Sequence, residues 1–163
     1  MFIHPTKFDD AVLFSRLDES NVLSTVSAHE IFLEEQRWKT AEHYFQINSV
    51  ARLPIQDKMR QLDEGLAVYK LGSPWYRRKR SDFKQVRMTL MTRALYTKVQ
   101  MYKEVREALL ETEQRMIAET SAYDHYWGVG RDQRGENKLG EIWMNIRSRL
   151  AKEMSVAEQK KNK

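Results

Sequence analysis

Apolar residues recur at helical spacing along the second half of this chain. One set falls on a 3.6-residue period after Asp82 and a second repeats the pattern near the end: Phe83, Val86, Leu90, Ala94, Leu95 and Lys98, then Leu139, Ile142, Trp143, Ile146, Arg147 and Leu150. This spacing is the strongest periodic signal in the sequence. It predicts a long amphipathic helix from Asp82, a further helix over 102–110 and a final helix from Leu139.

The first half predicts shorter elements. AVLFSRL and HEIFLEEQRW place apolar or aromatic residues near period two, which predicts strand, loop and strand, and RMIAETS predicts another strand. Thr40 as N-cap and Pro54 as breaker predict a helix over 41–53, and a second helix is predicted over 55–71, closed by Gly72. The expected fold class is α+β, a helix-dominated single domain with a small sheet.

The size of the chain bounds its organisation. Its 163 residues suit one domain, predicted over 1–153, followed by a basic tail at 154–163 that we expect to be a frayed, solvated helix end. The chain has no run of about 18 apolar residues and no apolar N-terminal leader, which predicts a cytoplasmic protein without a membrane partner. It has no cysteine and only the scattered histidines His4, His29, His43 and His125, so neither metal nor cofactor is predicted.

A charge of +5 allows an anionic partner. Part of the excess lies in the tail, and part in the consecutive cations Arg77, Arg78, Lys79 and Arg80. Four adjacent cations repel one another unless solvent or a phosphate relieves them. Arg77, Arg78 and Arg80 are therefore candidate phosphate ligands, with a solvated basic surface as the alternative.

Glycine is concentrated in one segment. Four of the six glycines lie in the twenty residues 121–140, beside Asp124 and Trp127. Such a segment lets the backbone approach a ligand, with a charge and a stacking face next to it. The alternative is a structured loop whose glycines serve turns and whose Trp127 belongs to the core.

A second candidate site lies in WKTAEHYFQ. Glu42 falls in the first turn of a predicted helix, where the helix dipole favours a carboxylate that could act as a base or stabilise a cation. The alternative is that Glu42 completes first-turn capping while Trp38 is core. Both candidate sites could face one pocket, with Glu42 and Asp124 flanked by Trp38, Tyr44 and Trp127.

The two segments resemble the signatures of one known family. WKTAEHYFQ is similar to the W-x-T-x-E-H-Y-F-Q motif of the YbiA-like proteins, the NADAR superfamily, and DHYWGVGRDQRGENKLGEIWMNIRSRL is similar to their D-x-x-W-G-x-G…G-x-N-x-L-G…M-x-x-R-x-x-L motif. The motifs occur in the family's order, and the resemblance covers about 30–153. It implies a compact α+β domain that cleaves N-glycosidic bonds of ribose phosphates.

The resemblance also implies roles for individual residues. YbiA-like members hydrolyse ribosylamino-pyrimidine phosphates of riboflavin biosynthesis, and related members remove ADP-ribose from guanine in nucleic acid. Glu42 and Asp124 match the family's acidic positions and are the expected catalytic residues. A larger set is expected to bind the small-molecule ribose phosphate or ADP-ribose-type substrate: Trp38, His43, Tyr44, Ser49, Phe83, Lys98, Trp127, Gly128 and Asn137.

The chain departs from the family pattern at two positions. Ser49 stands where many relatives have lysine, and a hydroxyl can neither form a Schiff base with an opened ribose nor neutralise a phosphate. Phe83 stands where relatives usually have tryptophan, which keeps an aromatic surface without the indole donor.

Three hypotheses follow from these residues. The first is an N-glycosyl hydrolase in which Glu42 and Asp124 assist cleavage, by activating water or together with another basic residue in place of the missing lysine. The second is a nucleotide or ADP-ribose binding module without turnover. The third is a protein that acts on or binds nucleic acid. The sequence leaves the oligomeric state open.

Overall fold

A computed structural model of the chain describes residues 8–161. His4 and Lys163, which entered the predictions on metal binding and on the basic tail, lie outside them. The described chain is a helix-dominated α+β fold, as predicted, but its strands form two separate pairs rather than one small sheet. The backbone divides into a central unit, residues 15–108, and a terminal unit, residues 8–14 and 109–161.

The terminal unit is built on a parallel strand pair. Strand β1 (Val12–Phe14) pairs with β4 (Ile117–Glu119), and Phe14 lies opposite Glu119. All three residues of β4 are buried, which confirms the strand predicted in RMIAETS. Helix α6 (Lys138–Lys161) packs on β4 and buries its apolar stripe, Leu139, Ile142, Trp143, Ile146 and Leu150. Every residue of α6 from 151 to 161 is exposed.

The segment HEIFLEEQRW, predicted as one strand, is a hairpin. Strands β2 (Ile31–Leu33) and β3 (Gln36–Trp38) pair antiparallel. Glu34 and Glu35 form the two-residue turn with φ of 55° and 60°. Two consecutive left-handed residues match the twist of a tight hairpin, although glycine or asparagine usually supplies them. The missing glycine explains why the turn could not be read from the sequence.

Helix α1 (Ala41–Ser49) lies at the centre of its unit. Thr40 is the N-cap as predicted, and its hydroxyl accepts from the His43 amide at 3.2 Å. The helix ends four residues earlier than predicted, because Val50 is extended and pairs with Lys79 in an antiparallel bridge. Pro54 does not end α1; it lies in the first turn of α2 (Leu53–Gln61), where its missing N–H costs nothing.

The single helix predicted over 55–71 is two helices. Helix α2 ends at Gln61 and α3 (Gly65–Gly72) begins after three residues that belong to neither helix. The Leu62 carbonyl accepts from Lys39 Nζ and lies 3.0 Å from His43 Nε2, and Lys39 also pairs with Asp63. Side chains distant in sequence therefore bind a carbonyl that would have accepted a backbone hydrogen bond in a continuous helix.

The later helices follow the prediction. Helix α4 (Phe83–Met101) packs against α1 and β2 through the buried stripe that includes Leu90, Ala94 and Leu95. Helix α5 (Lys103–Leu110) follows after Tyr102. Among the described residues, no helix is long and apolar enough to cross a bilayer.

Candidate functional site

The Glu42 carboxylate is completely buried and fully occupied. Arg16 donates to both of its oxygens, from Nη2 to Oε1 at 2.7 Å and from Nε to Oε2 at 3.1 Å. Gln46 Nε2 donates to Oε1 at 2.7 Å and the Thr25 hydroxyl donates to Oε2. Each oxygen thus accepts two hydrogen bonds, the full capacity of a carboxylate. To take a proton or to activate water, Glu42 would first have to lose a donor, so the arrangement favours a fixed negative charge.

Arg16, which the sequence analysis did not select, is the partner that makes this burial possible. It is 3% exposed, and its guanidinium lies 5.3 Å from the Phe45 ring centroid and 5.2 Å from that of Tyr69. Aromatic faces stabilise a desolvated cation, and the bidentate pair satisfies the planar fork of arginine. A buried arginine in FSRL carries no periodic signal, so only the tertiary contact identifies it.

Gln46 connects the ion pair to an amine. Its Nε2 binds Glu42, and its Oε1 lies 3.5 Å from Lys79 Nζ, which also donates to the Gly72 carbonyl at 2.7 Å. Gly72 leaves room for this amide, because a Cβ at that position would overlap Gln46 Oε1. The amide is therefore held in one orientation between a carboxylate and a cation.

Lys79 is the amine of this cluster. Burial, together with the neighbouring Arg16, lowers the pKa of Lys79 to about 8, while Glu42 opposes the shift. Its Nζ lies 5.3 Å from the centroid of the Phe83 ring, which itself lies 6.2 Å from that of Phe45. Sequence reasoning treated Lys79 as part of a cationic run; the antiparallel bridge to Val50 turns it toward Gln46.

Three predicted binding residues are buried around the start of α1. Trp38 is 4% exposed, donates from Nε1 to the Leu33 carbonyl at 2.9 Å and packs edge-on against Tyr44. The Tyr44 hydroxyl donates to Glu34 at 2.9 Å, and burial raises the pKa of Tyr44 to about 12. His43 lies between Thr40 and the Leu62 carbonyl, and burial lowers its pKa. These contacts order the helix start; substrate contact by these residues stays a prediction.

Ser49 and Lys98 use their polar atoms internally. The Ser49 hydroxyl donates to the Phe45 carbonyl at 2.5 Å, one turn back in α1. Lys98 is fully buried and donates to the Ser24 carbonyl at 2.8 Å and to Ser27 Oγ at 2.6 Å. Burial lowers the pKa of Lys98 to about 7. Its role toward a substrate stays a prediction.

Asp124 organises the glycine-rich segment of the terminal unit. Its Oδ1 accepts from the amides of Tyr126 at 3.0 Å and Trp127 at 2.8 Å, and its carbonyl accepts from Gly128. A carboxylate that caps a turn in this way fixes the backbone that follows it. Trp127 is 6% exposed and packs edge-on against Tyr126.

The other two predicted residues of this segment tie it to β4. Asn137, at φ 51°, accepts from the Glu119 amide at 2.9 Å and donates to the Ile117 carbonyl at 2.8 Å. A Cβ at Gly128 would overlap the carboxylate of Glu119, which is fully buried. Next to this segment lies a cavity of about 570 Å³, lined by Phe8, Leu13, Thr120, Val129, Gly130 and Arg131 among others.

The structure brings the predicted residues together in two groups. Glu42 and Phe83 border the cluster of Arg16, Gln46 and Lys79 in the central unit, and Asp124, Trp127, Gly128 and Asn137 share the glycine-rich segment of the terminal unit. The shared pocket predicted for Glu42 and Asp124 stays a prediction. Among the predicted phosphate ligands, Arg80 is paired with Asp82 at 2.5 and 3.0 Å, and Arg77 donates from Nε to the Leu71 carbonyl.

Comparison with known proteins identifies the class to which this fold and these motifs belong. The NADAR domain family matches residues 1–151. The N-glycosidase YbiA of Escherichia coli is 29% identical over 138 residues, covering 85% of this chain and 86% of the relative. An N-glycosidase of Nostoc punctiforme is 30% identical over 139 residues, covering 82% and 87%. The NMR structure of E. coli YbiA matches with a TM-score of 0.76 at 26% identity, over 89% of this chain and 88% of that one.

A relative of another name carries the same region within a longer chain. The chloroplastic riboflavin biosynthesis protein PYRR of Zea mays is 28% identical over 165 residues, which is 91% of this chain but 26% of the maize protein. The fold and motifs therefore define an enzyme class with a general N-glycosidase role. The chain belongs to the NADAR family.

Proposed function

We propose that this protein hydrolyses the N-glycosidic bond of a ribosylamino-pyrimidine phosphate, a small nucleotide-type substrate. The single observation that carries the proposal is the NADAR match over 1–151, with relatives named as N-glycosidases and as riboflavin biosynthesis proteins. Hydrolysis breaks the bond between the sugar carbon and nitrogen: water supplies a hydroxyl to the carbon, and the nitrogen leaves with a proton.

The buried ion pair has a positioning role in this proposal. Glu42 accepts four hydrogen bonds and its charge is balanced by Arg16, so in our proposal it acts by holding Arg16 and Gln46 beside Lys79. It is a positioning residue rather than a base.

Lys79 is the proposed proton donor. N-glycosidic cleavage requires a proton for the leaving nitrogen, and an ammonium whose pKa is about 8 is mostly protonated at pH 7 yet gives up its proton readily. Gln46 holds it beside the Arg16–Glu42 pair. The family resemblance places a lysine at the position of Ser49, whose hydroxyl donates to the Phe45 carbonyl in this chain. In our proposal Lys79 supplies the amine instead.

Asp124 is the second carboxylate of the proposal. Asp124→Asn tests its charge with little change to the loop, because an amide oxygen at the same place still accepts from Tyr126 and Trp127. Loss of turnover in Asp124→Asn with an unchanged melting temperature would support a role of the charge in catalysis. Unchanged turnover would restrict Asp124 to ordering the loop.

The activity test is incubation of the purified protein with a ribosylamino-pyrimidine phosphate, with chromatographic detection of ribose 5-phosphate. We expect release by the wild type, a large loss in Lys79→Met and partial retention in Lys79→Arg, which keeps a cation but is a poor acid. Equal turnover by all three proteins would exclude Lys79 as the donor. No turnover by the wild type would contradict the proposed substrate.

Two alternatives are tested in the same experiment. An ADP-ribosylated guanine oligonucleotide and NAD serve as parallel substrates, and release of ADP-ribose from the oligonucleotide alone would favour action on nucleic acid. Ligand-induced stabilisation without product from any of the three would favour a binding module. A ligand at 100 times its dissociation constant raises stability by about 2.7 kcal/mol, which a melting curve resolves.

A further inference from the structure

Three arginines line one cavity beyond the end of α1. The cavity has a volume of about 190 Å³ and is lined by Val50, Arg52, Ile55, Tyr76, Arg77 and Arg78. No acidic side chain is among these lining residues. A concave site with three guanidinium groups and an aromatic ring is chemically suited to an anion that carries a planar group.

The arginines of this cavity differ from four others of the central unit, each of which pairs with a carboxylate: Arg16 with Glu42, Arg37 with Glu30, Arg80 with Asp82, and Arg93 with Glu34. Neither Arg52 nor Arg78 forms a side-chain hydrogen bond or ion pair with any residue that the structure describes. The Arg77 side chain donates one hydrogen bond, from Nε to the Leu71 carbonyl. Three cations close together without a counter-charge repel one another, so a bound anion would relieve a cost already present in the fold.

The walls of the cavity are held by backbone hydrogen bonds. Val50 and Lys79 form an antiparallel bridge, the Ala51 amide donates to the Arg78 carbonyl at 3.0 Å, and the Arg80 amide donates to the Ser49 carbonyl at 2.9 Å. The segment that carries Arg77 and Arg78 is thereby fixed against the end of α1. A site with a fixed backbone loses less entropy when a ligand binds than a mobile loop does.

Tyr76, which lines the cavity, and its neighbour Trp75 are exposed aromatic side chains. Trp75 is 94% exposed and Tyr76 is 65% exposed, with their ring centroids 5.9 Å apart in an edge-on arrangement. The Arg77 guanidinium lies 5.6 Å from the Tyr76 ring centroid. Burial of these exposed aromatic surfaces is favourable, and a planar ligand ring stacked on either side chain would bury them.

We propose that this cleft binds a nucleotide, with Arg52 and Arg78 on the phosphate and Tyr76 against the base. Arg77, already oriented by the Leu71 carbonyl, completes the phosphate ligands. Arg80, predicted from sequence as a phosphate ligand, has its guanidinium engaged by Asp82 and lies outside the set. The inference goes beyond the proposed function, because it concerns binding and holds whether or not Glu42 and Lys79 take part in turnover.

The test is calorimetric titration at low ionic strength of the full chain with uridine 5′-monophosphate, uridine, inorganic phosphate and a ten-residue oligothymidylate. We expect the monophosphate to bind more tightly than either uridine or phosphate. Losing a charge-assisted hydrogen bond weakens binding by about tenfold, so Arg52→Ala/Arg78→Ala is expected to weaken it by about 100-fold. Tyr76→Ala is expected to weaken the binding of the monophosphate but not the binding of inorganic phosphate. Arg37→Ala/Lys103→Ala, which removes two exposed cations paired with Glu30 and Glu107, is the charge-matched control.

The outcomes separate the possible sources of the nucleotide and can overturn the inference. Binding of the monophosphate that depends on Arg52 and Arg78 supports a free nucleotide, and the same dependence for the oligothymidylate alone supports a nucleic-acid strand. Equal losses of affinity in Arg52→Ala/Arg78→Ala and in Arg37→Ala/Lys103→Ala would mean that only diffuse charge attracts the ligand, which overturns the site. No binding of either ligand by the wild type overturns it as well. The titration measures binding and no product, so a negative result here does not affect the hydrolase proposal. In the same way, a negative activity test does not affect the proposed nucleotide site.

Discussion

At the residue scale, Glu42 illustrates how a helix position and a tertiary contact combine. Its place in the first turn of α1 puts a negative charge where the helix dipole favours it. The same place points its carboxylate at Arg16, which lies 26 residues earlier in the sequence. The resulting pair is buried on both sides, with side chains 4% and 0% exposed. Removal of one charge from such a pair leaves the other unpaired in a low-dielectric setting.

Glu42→Gln is therefore expected to reduce the free energy of unfolding by about 3–5 kcal/mol. The amide would also set an N–H against a donor of Arg16 or Gln46. Chemical denaturation with urea measures the change. The matched control is Glu107→Gln, which breaks the exposed pair between Glu107 and Lys103 and should cost about 0.5 kcal/mol or less. Similar losses in both variants would contradict the structural importance of the pair.

Lys98 makes the stability of the fold depend on pH. Its pKa is about 7 in the folded chain against 10.5 for an ordinary lysine. Between these values the unfolded chain holds a proton that the folded chain has released, so stability rises with pH across this window. The contribution is as much as about 1.4 kcal/mol per pH unit.

Lys98→Met is expected to flatten this rise between about pH 7 and pH 10. Urea denaturation at several pH values gives the slope for the wild type and the variant. Lys103→Met, at an exposed position, keeps the buried amine and should keep the wild-type slope. Parallel curves for the wild type and Lys98→Met would contradict the lowered pKa.

At the element scale, the hairpin of β2 and β3 shows a local cost that the surrounding structure offsets. Glu34 and Glu35 adopt left-handed backbone angles that disfavour a side chain. Glu34 is compensated by bonds from Tyr44 and Arg93, which converge on its Oε1 at 2.9 Å each. Glu35 is exposed and has no such bonds among the described residues.

Glu35→Gly is therefore expected to stabilise the protein by about 0.5–1 kcal/mol, because glycine adopts this φ without strain. Thermal unfolding measures the gain. Glu35→Ala removes the same charge but keeps a Cβ, and it should give no gain. The expectation would be wrong if the alanine variant were as stable as the glycine variant.

At the scale of the whole molecule, the family match and the buried part of α6 end at nearly the same place. The NADAR match stops at residue 151, and each residue of α6 from 151 to 161 is exposed, whereas Ile146 and Leu150 are buried. Lys160 and Lys161, which carry part of the excess positive charge, are among these exposed residues. The division into a domain over 1–153 and a basic tail stays a prediction, which truncated chains can test.

A chain that ends at residue 153 is expected to have a free energy of unfolding within about 0.5 kcal/mol of the full-length value, since residues 154–161 are exposed. A chain that ends at residue 145 loses Ile146 and Leu150 as well and should lose about 2–5 kcal/mol. Differential scanning calorimetry compares the three chains. A large loss in the chain that ends at residue 153 would indicate that the tail is covered in the protein as it exists in solution.

The sequence by itself determined the features that depend on neighbours a few residues away. The long helices α4 and α6 follow from apolar spacing, the start of α1 follows from the Thr40 cap, and the strand at β4 follows from its short apolar run. Motif resemblance, which is also a local property, led to the NADAR family and to an N-glycosidase class.

Only the tertiary structure decided which polar groups meet. Arg16 pairs with Glu42 across 26 residues, and Lys79 meets Gln46 across 33. The break between α2 and α3 arises from contacts of the same kind, made to the Leu62 carbonyl by side chains about 20 residues earlier. The physical reason is that desolvation energies depend on which groups are buried together, and no periodic pattern in the sequence records that.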